Sequence, residues 1–264
     1  MKYPRTRHVQ GSRLQPGDED LEQVPLRELC GKYLVIEGKQ DGANSGISFD
    51  AEGKLYMQSR GHFLTGGPRE AQFTLFKQWA ATRADLFHIA LEDRYVADGE
   101  WLYKKHTVYY DALPHYWAEF DVFDKGRHVF LDTPSRRALL NGLPYAPVTV
   151  LWSGVWTREM RFEDFIGPSR FKTAPWRQSL RDDVESLGYD WDLVWRHTDP
   201  SDLMEGLYIK WEEDGIVRGR CKFVRHDFVS RIVSNDEHHD NLPPVPNRLA
   251  AGVDLFSESG GNGP

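Results

Sequence analysis

Alternating apolar and polar positions predict strands in the first half of the chain. Residues 33–36 form an apolar run that ends at the polar turn DGAN, and a strand-like pattern resumes at residues 55–59. The runs KYLVIEGKQDGANSGISFD and KLYMQSR together predict two or three short strands. Between residues 86 and 130, the segments LFHIAL, RYVADGEWLY and YWAEFDVFD, separated by polar turns, again predict strands.

Three other segments have the spacing and end signals of helices. One follows the Gly-Pro pair at 67–68 and carries apolar residues three and four positions apart. A second is predicted over residues 134–141, with Asp132 or Thr133 as its cap, and a third over residues 176–187. In the second and third, a glycine stands just past the predicted end.

The second half of the chain adds a predicted hairpin, with strands at 206–211 and 216–224 joined by the turn EEDG. These patterns predict an α+β fold of mostly antiparallel sheets with helices on their outer faces. We divide the chain into an irregular lead-in (1–28), a domain (29–233) and a Pro- and Asn-rich extension (234–264) whose end, SESGGNGP, is expected to be disordered.

Composition narrows the class of protein. The 264 residues, 40% of them hydrophobic, suffice for the core of one large domain or two small ones. No stretch approaches the roughly 18 apolar residues that span a membrane, and the polar, basic start lacks the apolar core of a secretion signal. Cys30 and Cys221 are too few for a disulfide framework or a structural zinc site. A cytoplasmic protein is therefore expected.

The formal charge of −7 argues against a protein that coats nucleic acid nonspecifically, because such binding depends on many Lys and Arg side chains neutralising phosphates. Arg and Lys recur around the candidate site segments, however, and a local basic cleft is compatible with this charge.

The segment EGKQDGAN, residues 37–44, places Lys39 between two acids at the end of an apolar strand. An isolated KxDG pattern is weak evidence, because a lysine in a solvated turn is the simpler explanation of it. As a nucleophile, Lys39 needs a neutral amine, and desolvation together with bound metal and nearby cations can lower its pKa from an ordinary value of about 10.4. Gly42 has no Cβ and would let the backbone approach a phosphate or a sugar closely.

Further segments follow in order: SRG at 59–61, ADGEW at 97–101 leading into WAEFDVFD at 117–124, EGLYIKWE at 205–212, and RCKFVR at 220–225. With EGKQDGAN they resemble the ordered motifs of the covalent nucleotidyltransferase superfamily. The sequence GEWLYKKHTVYYDALPHYW…FDVFD is similar to that of its ATP-dependent RNA ligase family. The resemblance runs from about residue 34 to residue 225.

This resemblance implies a nucleotidyltransferase domain with a defined chemistry. Lys39 would attack ATP and carry AMP as a covalent intermediate, pass it to the 5′-phosphate end of an RNA, and let a 3′-hydroxyl displace it to seal the strand. Each displacement builds charge on phosphoryl oxygens, so cations and a metal ion must lie where that charge develops.

The resemblance also implies roles for individual residues. Arg60 would clamp a phosphate, Glu205 would support a catalytic Mg²⁺ or Mn²⁺, and Lys222 with Arg220 would hold phosphates. The family often has lysine at both positions of that basic pair, so Arg220 is a departure, and Arg225 is a second candidate for its role. The other implied nucleotide contacts are Glu37 (adenine, or the orientation of the lysine), Asp41, Gly42, Asn44 (a terminal ribose), Glu100 (ribose hydroxyls), Phe120 (stacking on adenine) and Lys210.

Simpler interpretations stay open for three of these residues. Arg60 can be a surface arginine at a strand end, and Glu205 can start a strand and cap a turn. Phe120 can belong to the core, because strict alternation places Trp117, Glu119, Asp121 and Phe123 on one face of their strand and Phe120 on the other. In that arrangement Trp117 or Phe123 would face the pocket.

A second polar cluster carries less weight. His238 and His239 stand with Asp236 and Asp240 in the segment SNDEHHD, a composition that could hold a metal ion. Without a second pair of ligands, a solvated polar loop is the simpler interpretation.

The ends of the chain bear on the choice between functions. Lys39 lies too near the start for the additional upstream domain typical of NAD-dependent DNA ligases, so ATP is the implied donor. Only 42 of the 264 residues follow Lys222, whereas an OB-fold barrel needs roughly 80. A compact RNA ligase without a C-terminal OB-fold is therefore expected, helped by a partner protein, by oligomerisation or by a structured RNA substrate.

Other functions remain compatible with the sequence. The chain could be a noncatalytic RNA-binding or scaffold subunit, an adenylyltransferase with another acceptor, or a DNA-strand ligase. The segment PPVPNRL could dock a partner, or it could pin the tail to the body of the protein.

Overall fold

Two mostly antiparallel sheets organise the chain in this computed structural model, which describes residues 2–14, 17–18, 20–228 and 243–257. In chain order the strands are β1 (Arg7–His8), β2 (Tyr33–Lys39), β3 (Ala43–Phe49), β4 (Leu55–Ser59), β5 (Tyr95–Trp101), β6 (Trp117–Asp124), β7 (Val129–Phe130), β8 (Ala146–Pro147), β9 (Val150–Val155), β10 (Gly206–Glu213) and β11 (Ile216–Val224). The α-helices are α1 (Thr74–Thr82), α2 (Ala84–Leu91), α3 (Thr133–Leu139), α4 (Trp176–Ser186) and α5 (Trp191–Arg196). Short 3-10 helices lie at Leu26–Glu28, Pro68–Phe73 and Phe162–Phe165.

The first sheet has the strand order β1-β11-β10-β2-β9, and the second has the order β4-β3-β5-β6-β7 with β8 beside β6. All neighbours are antiparallel except the pairs β1 with β11 and β6 with β8. The expected α+β class with mostly antiparallel sheets is thus confirmed. Among the described residues no helix is both long and apolar enough to cross a membrane.

The two sheets bury apolar side chains on their outer faces. On the first sheet, Leu34, Ile36, Leu207 and Ile209 are fully buried in a cluster that also contains Trp156. Because alternate residues of a strand point to opposite faces, the residues between them point towards the second sheet. The outer face of the second sheet packs its aromatic residues against α1 and α2, and this cluster includes Trp101, Trp117, Phe76, Trp79 and Phe87.

One predicted strand is a helix. The segment LFHIAL lies within α2, where Phe87 and Leu91 are buried and Leu86 and Ile89 are 44% and 78% exposed. The buried pair is four residues apart, which is the spacing of one helical face and not of a strand. A short run with so many apolar residues hides that periodicity, so the prediction was wrong here.

The other predicted elements are confirmed, with shifts of a few residues at their ends. Asp132 caps α3 by accepting a hydrogen bond from the Ser135 amide (2.9 Å). The hairpin of β10 and β11 turns through Asp214 and Gly215, both with positive φ (55° and 79°), as tight hairpin turns require. Gly188, just past α4, has a φ of 71° and takes the left-handed conformation common at helix ends.

Strand β6 contains a β-bulge that the sequence pattern does not predict. Asp98 of β5 pairs with Asp121, and the next residue, Gly99, pairs with Glu119, so Phe120 is the extra residue. The bulge breaks the strict alternation expected for this strand. Trp117 therefore packs in the outer aromatic cluster, whereas Asp121 contacts the first sheet, and the prediction that both share a face was wrong.

The N-terminal segment, for which an irregular lead-in is predicted, is largely irregular but packs on the first sheet. Its strand β1 pairs with the edge strand β11, with Arg7 opposite Cys221 and His8 opposite Lys222. Tyr3 is 4% exposed, so its ring is buried in the body of the protein. The domain boundaries given above remain a prediction.

Of the C-terminal extension, residues 243–257 pack on the body of the protein. Asn247 is 1% exposed; its side chain accepts a hydrogen bond from the Tyr110 amide (2.9 Å) and donates one to the Leu102 carbonyl (2.6 Å). Arg248 bonds both carboxylate oxygens of Asp183 (2.9 and 2.6 Å). PPVPNRL thus pins this part of the chain. The polar cluster at 236–240 and all of SESGGNGP except Ser257 lie outside the described residues.

We expect Asn247→Ala to lower the free energy of unfolding by about 2 kcal/mol, because it leaves one buried amide and one buried carbonyl without their partner. Urea unfolding followed by tryptophan fluorescence measures the change. Asn141→Ala, at an exposed position after α3, is the matched control and should change stability by less than about 0.5 kcal/mol. Equal stabilities of the two variants would contradict the pinning role.

Candidate active site

The inner face of the first sheet carries a row of charged and polar side chains. In β2, Lys39 lies opposite Gly206, and Glu37 lies opposite Tyr208. Residues that face each other across strands project on the same side of the sheet. The register of β10 and β11 extends this face, which contains Glu37, Lys39, Tyr208, Lys210, Arg220 and Lys222.

Lys39 and Glu205 form an ion pair at the end of this row. The Lys39 Nζ atom donates to Glu205 Oε2 at 2.7 Å, and the exposed fractions of the two side chains are 21% and 0%. Glu205 directly precedes β10, and Gly206 follows it. A Cβ atom on Gly206 would lie 2.0 Å from the Phe223 carbonyl oxygen, so only glycine allows β10 and β11 to approach this closely beside Lys39.

The surroundings of Lys39 raise its pKa, whereas a lowered pKa was expected. Burial by itself lowers the pKa of Lys39, but the negative charges of Glu205, Glu100 and Asp41 outweigh it and raise the pKa above its ordinary value. Desolvation alone therefore does not give a neutral amine, and the lowering of the pKa expected from desolvation together with bound metal and nearby cations stays a prediction. Lys39 is an ammonium group in this structure, held by its carboxylate partner.

The second sheet contributes Glu100 and Asn44, which face each other on neighbouring strands. Glu100 accepts a hydrogen bond from the Gly42 amide (3.1 Å). Burial raises the pKa of Glu100 to about 7, although the positive charges of Lys39 and Arg60 oppose the shift and so lie near it. The buried Asn44 Oδ1 atom has no hydrogen-bond partner among the described residues and is available to a bound group.

A buried network of charges joins the two sheets beside this pair. The Lys210 ammonium lies 3.0 Å from Glu37 Oε2 and 2.9 Å from Asp121 Oδ1, and it also donates to the Phe120 carbonyl. Arg136 of α3 bonds Glu37 and Glu119, the latter at 2.5 Å. None of the Glu37, Lys210 and Arg136 side chains is exposed. In this structure Glu37 and Lys210, both expected to contact nucleotide, hold the sheets together.

The basic pair on β11, Arg220 and Lys222, also forms ion pairs with acids. Arg220 contacts Asp121 Oδ2 at 3.1 Å, and Lys222 contacts Asp18 Oδ2 at 2.5 Å. Burial and the charge of Lys39 lower the pKa of Lys222. Arg225, the second candidate for the pair, points elsewhere, because it bonds Asp199 and the Met204 carbonyl.

Phe120 faces the space between the sheets. Its ring lies 5.9 Å from that of Tyr208 and 5.4 Å from that of Tyr3, measured between centroids. The alternatives lie elsewhere: Trp117 packs in the outer cluster, and Phe123 packs on Phe130. Phe120 is thus the aromatic residue of β6 that borders Tyr208.

Asp41 and Gly42 stabilise the turn that follows Lys39 and its packing against β5. The Asp41 carboxylate accepts hydrogen bonds from the Thr107 and Val108 amides (2.7 and 2.8 Å) and so fixes the turn after Lys39. A Cβ on Gly42 would lie 2.6 Å from the Trp101 carbonyl oxygen. Close packing against β5 therefore requires glycine at this position, and the approach of a phosphate or sugar to Gly42 stays a prediction.

The carboxylate of Glu205 suits a metal ion that takes most of its ligands from water and substrate phosphates. Among the residues that the structure describes, no three His, Cys, Asp or Glu side chains converge on one point. Mg²⁺ is usually bound by one or two carboxylates together with waters and substrate phosphates. Glu205, whose carboxylate meets a cation at 2.7 Å, is a donor of this kind.

The residues at the site that were not predicted from the sequence include Tyr3, Asp18, Arg136 and Tyr208. Tyr208 could have been found, because it lies two positions before Lys210 and alternation places both on one face. The other three come from segments distant in the chain, and no local pattern marks them.

Comparison with known proteins bears on this geometry. A family model described as RNA ligase matches residues 32–224. No curated protein matches the chain.

Solved structures of an RNA ligase from Naegleria gruberi share the fold. A mutant with ATP and Mn aligns with a TM-score of 0.52 at 16% identity, over 86% of this chain and 56% of that one. A mutant with AMP and Mn aligns with a TM-score of 0.51 at 15% identity, over 84% and 55%. The chain therefore spans a little over half of the length of these relatives.

The pKa of Glu100 generates a test that needs no substrate. Between pH 4.5, its ordinary pKa, and about 7, the folded protein keeps a proton on Glu100 that the unfolded chain has lost. Stability therefore falls as the pH rises through this window, by up to about 1.4 kcal/mol per pH unit from this group, and levels off above it.

We expect Glu100→Gln to remove this contribution, so that the stability difference between variant and parent grows from pH 5 to 7 and is then constant. Urea unfolding at pH 5, 6, 7 and 8 measures it. Glu52→Gln, at an exposed turn, should run parallel to the parent. A Glu100→Gln curve that is also parallel would contradict the raised pKa.

Proposed function

The chain belongs to the RNA ligase family, and on this premise we propose that it is an ATP-dependent RNA ligase whose nucleotidyltransferase domain is formed by the two sheets. One observation carries the proposal: Lys39, Glu205, Glu100 and Lys222, from four separate segments, meet between the sheets. A half-buried lysine with acid partners and flanking cations has the groups needed for transfer of a nucleotidyl group.

In the first step, the Nζ atom of Lys39 forms a bond to the α-phosphorus of ATP, and the bond to pyrophosphate breaks. An ammonium group has no lone pair, so Lys39, which donates to Glu205 and is 21% exposed, first releases one proton to solvent. A divalent cation bound at Glu205 would supply positive charge to the phosphates and to this carboxylate. Neutralising the negative charge of Glu205 removes one cause that raises the pKa of Lys39, while burial continues to lower it.

The remaining steps use the same centre. A 5′-phosphate oxygen of the RNA attacks the phosphorus of lysyl-AMP, and the N–P bond to Lys39 breaks. A 3′-hydroxyl then attacks the 5′-phosphorus and AMP leaves. In this scheme Arg60, Arg220 and Lys222 neutralise phosphoryl oxygens, Glu100 accepts from ribose hydroxyls, Asn44 contacts a terminal ribose and Phe120 stacks on adenine.

Three parts of the proposal concern the setting of the enzyme. We expect RNA as the polynucleotide, a role in RNA repair, and help from a protein partner, a second copy of the chain or the structure of the RNA. The RNA ligase of Naegleria gruberi has been solved with ATP and Mn, which supports ATP and a divalent cation as the cofactors here.

The covalent intermediate is the decisive test. With radiolabelled ATP and Mg²⁺, the parent should acquire an acid-labile AMP, and Lys39→Arg should reduce it by about 1000-fold or more. Arginine keeps the positive charge beside Glu205 but is not deprotonated in proteins. Lys54→Arg, at an exposed lysine, is the matched control and should label like the parent.

Failure of the parent to label would leave the noncatalytic RNA-binding subunit as the better hypothesis. Binding of RNA in a filter assay would then support that alternative.

The choice of acceptor needs a second measurement on the labelled protein. With a nicked duplex and with single strands, each carrying a 5′-phosphate, an RNA 3′-end should be sealed at least about tenfold faster than a DNA 3′-end, because only RNA offers the 2′-hydroxyl. Labelled protein without any sealed product would indicate an adenylyltransferase with another acceptor. Equal rates for the two ends would indicate a strand ligase without RNA preference.

A further inference from the structure

We propose that an exposed surface at the edge of the second sheet binds a single-stranded stretch of the RNA substrate beside the active site. This surface, called the Phe63 surface below, consists of Tyr56, Arg60, His62 and Phe63. The inference rests on the proposed function, because it assumes that the chain acts on RNA. It adds where the RNA lies, with bases on the two aromatic rings and phosphates on the cations.

The Phe63 surface begins at the active site. The edge strand β4 pairs with β3 so that Ser59 lies opposite Ser45, and the next residue, Arg60, therefore comes beside Asn44. The positive charge of Arg60 opposes the rise in the pKa of Glu100, so Arg60 lies near that residue too. An RNA strand that meets Arg60 at the site can therefore continue over the edge of the second sheet.

The two aromatic rings of the surface pack beside each other. The ring centroids of Tyr56 and Phe63 are 5.2 Å apart, and the planes are tilted by 52°. Phe63 is 47% exposed, although it is a large apolar side chain. The Tyr56 hydroxyl donates to Asp50 Oδ2 (3.0 Å) and so fixes its ring. Exposed aromatic rings of this kind are surfaces on which successive bases stack.

Backbone hydrogen bonds hold the loop that carries Phe63. The Ser59 amide donates to the His62 carbonyl (2.9 Å), and the Leu64 amide donates to the Met57 carbonyl (2.8 Å). Leu64 is buried in the outer aromatic cluster, and neighbours in an extended segment point to opposite sides, so Phe63 projects away from that cluster. A ring that is already held in place loses little conformational entropy when a base stacks on it.

The charges around the rings favour a polyanion. Residues 55–69 contain two arginines and one histidine but no acid, although the chain has 40 acids and a net charge of −7. The Ser59 hydroxyl lies 3.0 Å from the His62 Nδ1 atom and holds that ring beside Phe63 in the loop. Phosphates are attracted to such a stretch, whereas the acidic remainder of the chain repels them.

The exposed rings favour a single strand over a duplex. In a duplex the faces of each base are covered by the neighbouring base pairs, whereas an unpaired strand offers them to aromatic side chains. The part of the substrate that lies on the Phe63 surface is therefore single-stranded. Stacking of this kind does not depend on the identity of the base, so the surface binds RNA without a strict sequence preference.

Fluorescence anisotropy with a labelled single-stranded RNA of about 12 nucleotides, without ATP, measures this contact. We expect Phe63→Ala to weaken Kd about tenfold, because one base loses its stacking partner. Phe63→Trp should bind at least as tightly as the parent, since tryptophan keeps an aromatic face. Tyr33→Ala is the matched control: this ring is 48% exposed at the opposite end of β2 from Lys39, and its loss should leave Kd unchanged.

The rescue by tryptophan separates stacking from a structural role. If Phe63→Ala and Phe63→Trp weaken RNA binding equally, the ring supports the loop and does not meet a base, and the proposal is overturned.

Salt dependence tests the role of the cations independently of the rings. Each phosphate neutralised on a single strand contributes about 0.7 to the slope of log Kd against log salt concentration. Arg60→Ala should therefore lower the slope by about this amount, whereas Phe63→Ala should keep the slope of the parent. An unchanged slope for Arg60→Ala would overturn the assignment of a phosphate to this part of the surface.

The two proposals fail in different ways. If the parent acquires AMP on Lys39 and seals RNA, but Phe63→Ala binds RNA as tightly as the parent, the Phe63 surface is refuted and the ligase stands. A protein partner would then be the better hypothesis for the exposed ring. If the parent neither acquires AMP nor binds RNA, the proposed function is refuted and the Phe63 surface with it.

Discussion

The contact of Lys210 with Glu37 and Asp121 is the constraint on which the rest of the structure depends. These side chains lie between two sheets whose outer faces are apolar, and none of the three is exposed. A charge taken out of water destabilises the fold by several kcal/mol unless opposite charges and hydrogen bonds surround it. Strands β2, β10 and β6 must therefore keep the register that aligns the three groups.

The same constraint explains why Arg136 is buried. Three acids of the network, Glu37, Glu119 and Asp121, need an equal number of cations, and Lys210 and Arg220 supply two. Arg136 supplies the third from α3, whose first turn is fixed by the Asp132 cap. A substitution that removes one member leaves its partner charged and buried, so the network specifies how the two sheets pair.

Much of this could be predicted from the sequence. The resemblance of the ordered motifs to those of RNA ligases predicted that Lys39, Glu205 and Lys222 belong to one site, and alternation within the strands predicted most of the elements that carry them. The helical periodicity of α2 could not be recognised, because the helix has more apolar residues than one face can bury. The bulge at Phe120 depends on pairing with β5, and Arg136 depends on a helix nearly a hundred residues from Glu37. Such properties arise only when distant segments meet.

The electrostatics of Lys39 also required the assembled fold. Its neighbours in the sequence include acids, but the partner that holds its proton is Glu205, and that contact exists only because β10 pairs with β2. Lys39 is consequently protected as an ammonium group in the resting protein. A nucleophile held in this way becomes reactive only when incoming positive charge competes for its carboxylate partner, which couples activation of the lysine to binding.

Three cations of the proposed nucleotide site contact acids in this structure: Lys39 contacts Glu205, Arg220 contacts Asp121, and Lys222 contacts Asp18. The first two acids lie beside or within the strands of the two sheets, and moving them would break the sheets. Asp18 lies on the N-terminal segment, which is anchored on the first sheet by the fully buried Val9 and Val24. All three pairs are therefore held by the packing of the fold. A site of unpaired cations would destabilise the fold, and the three carboxylates avoid that.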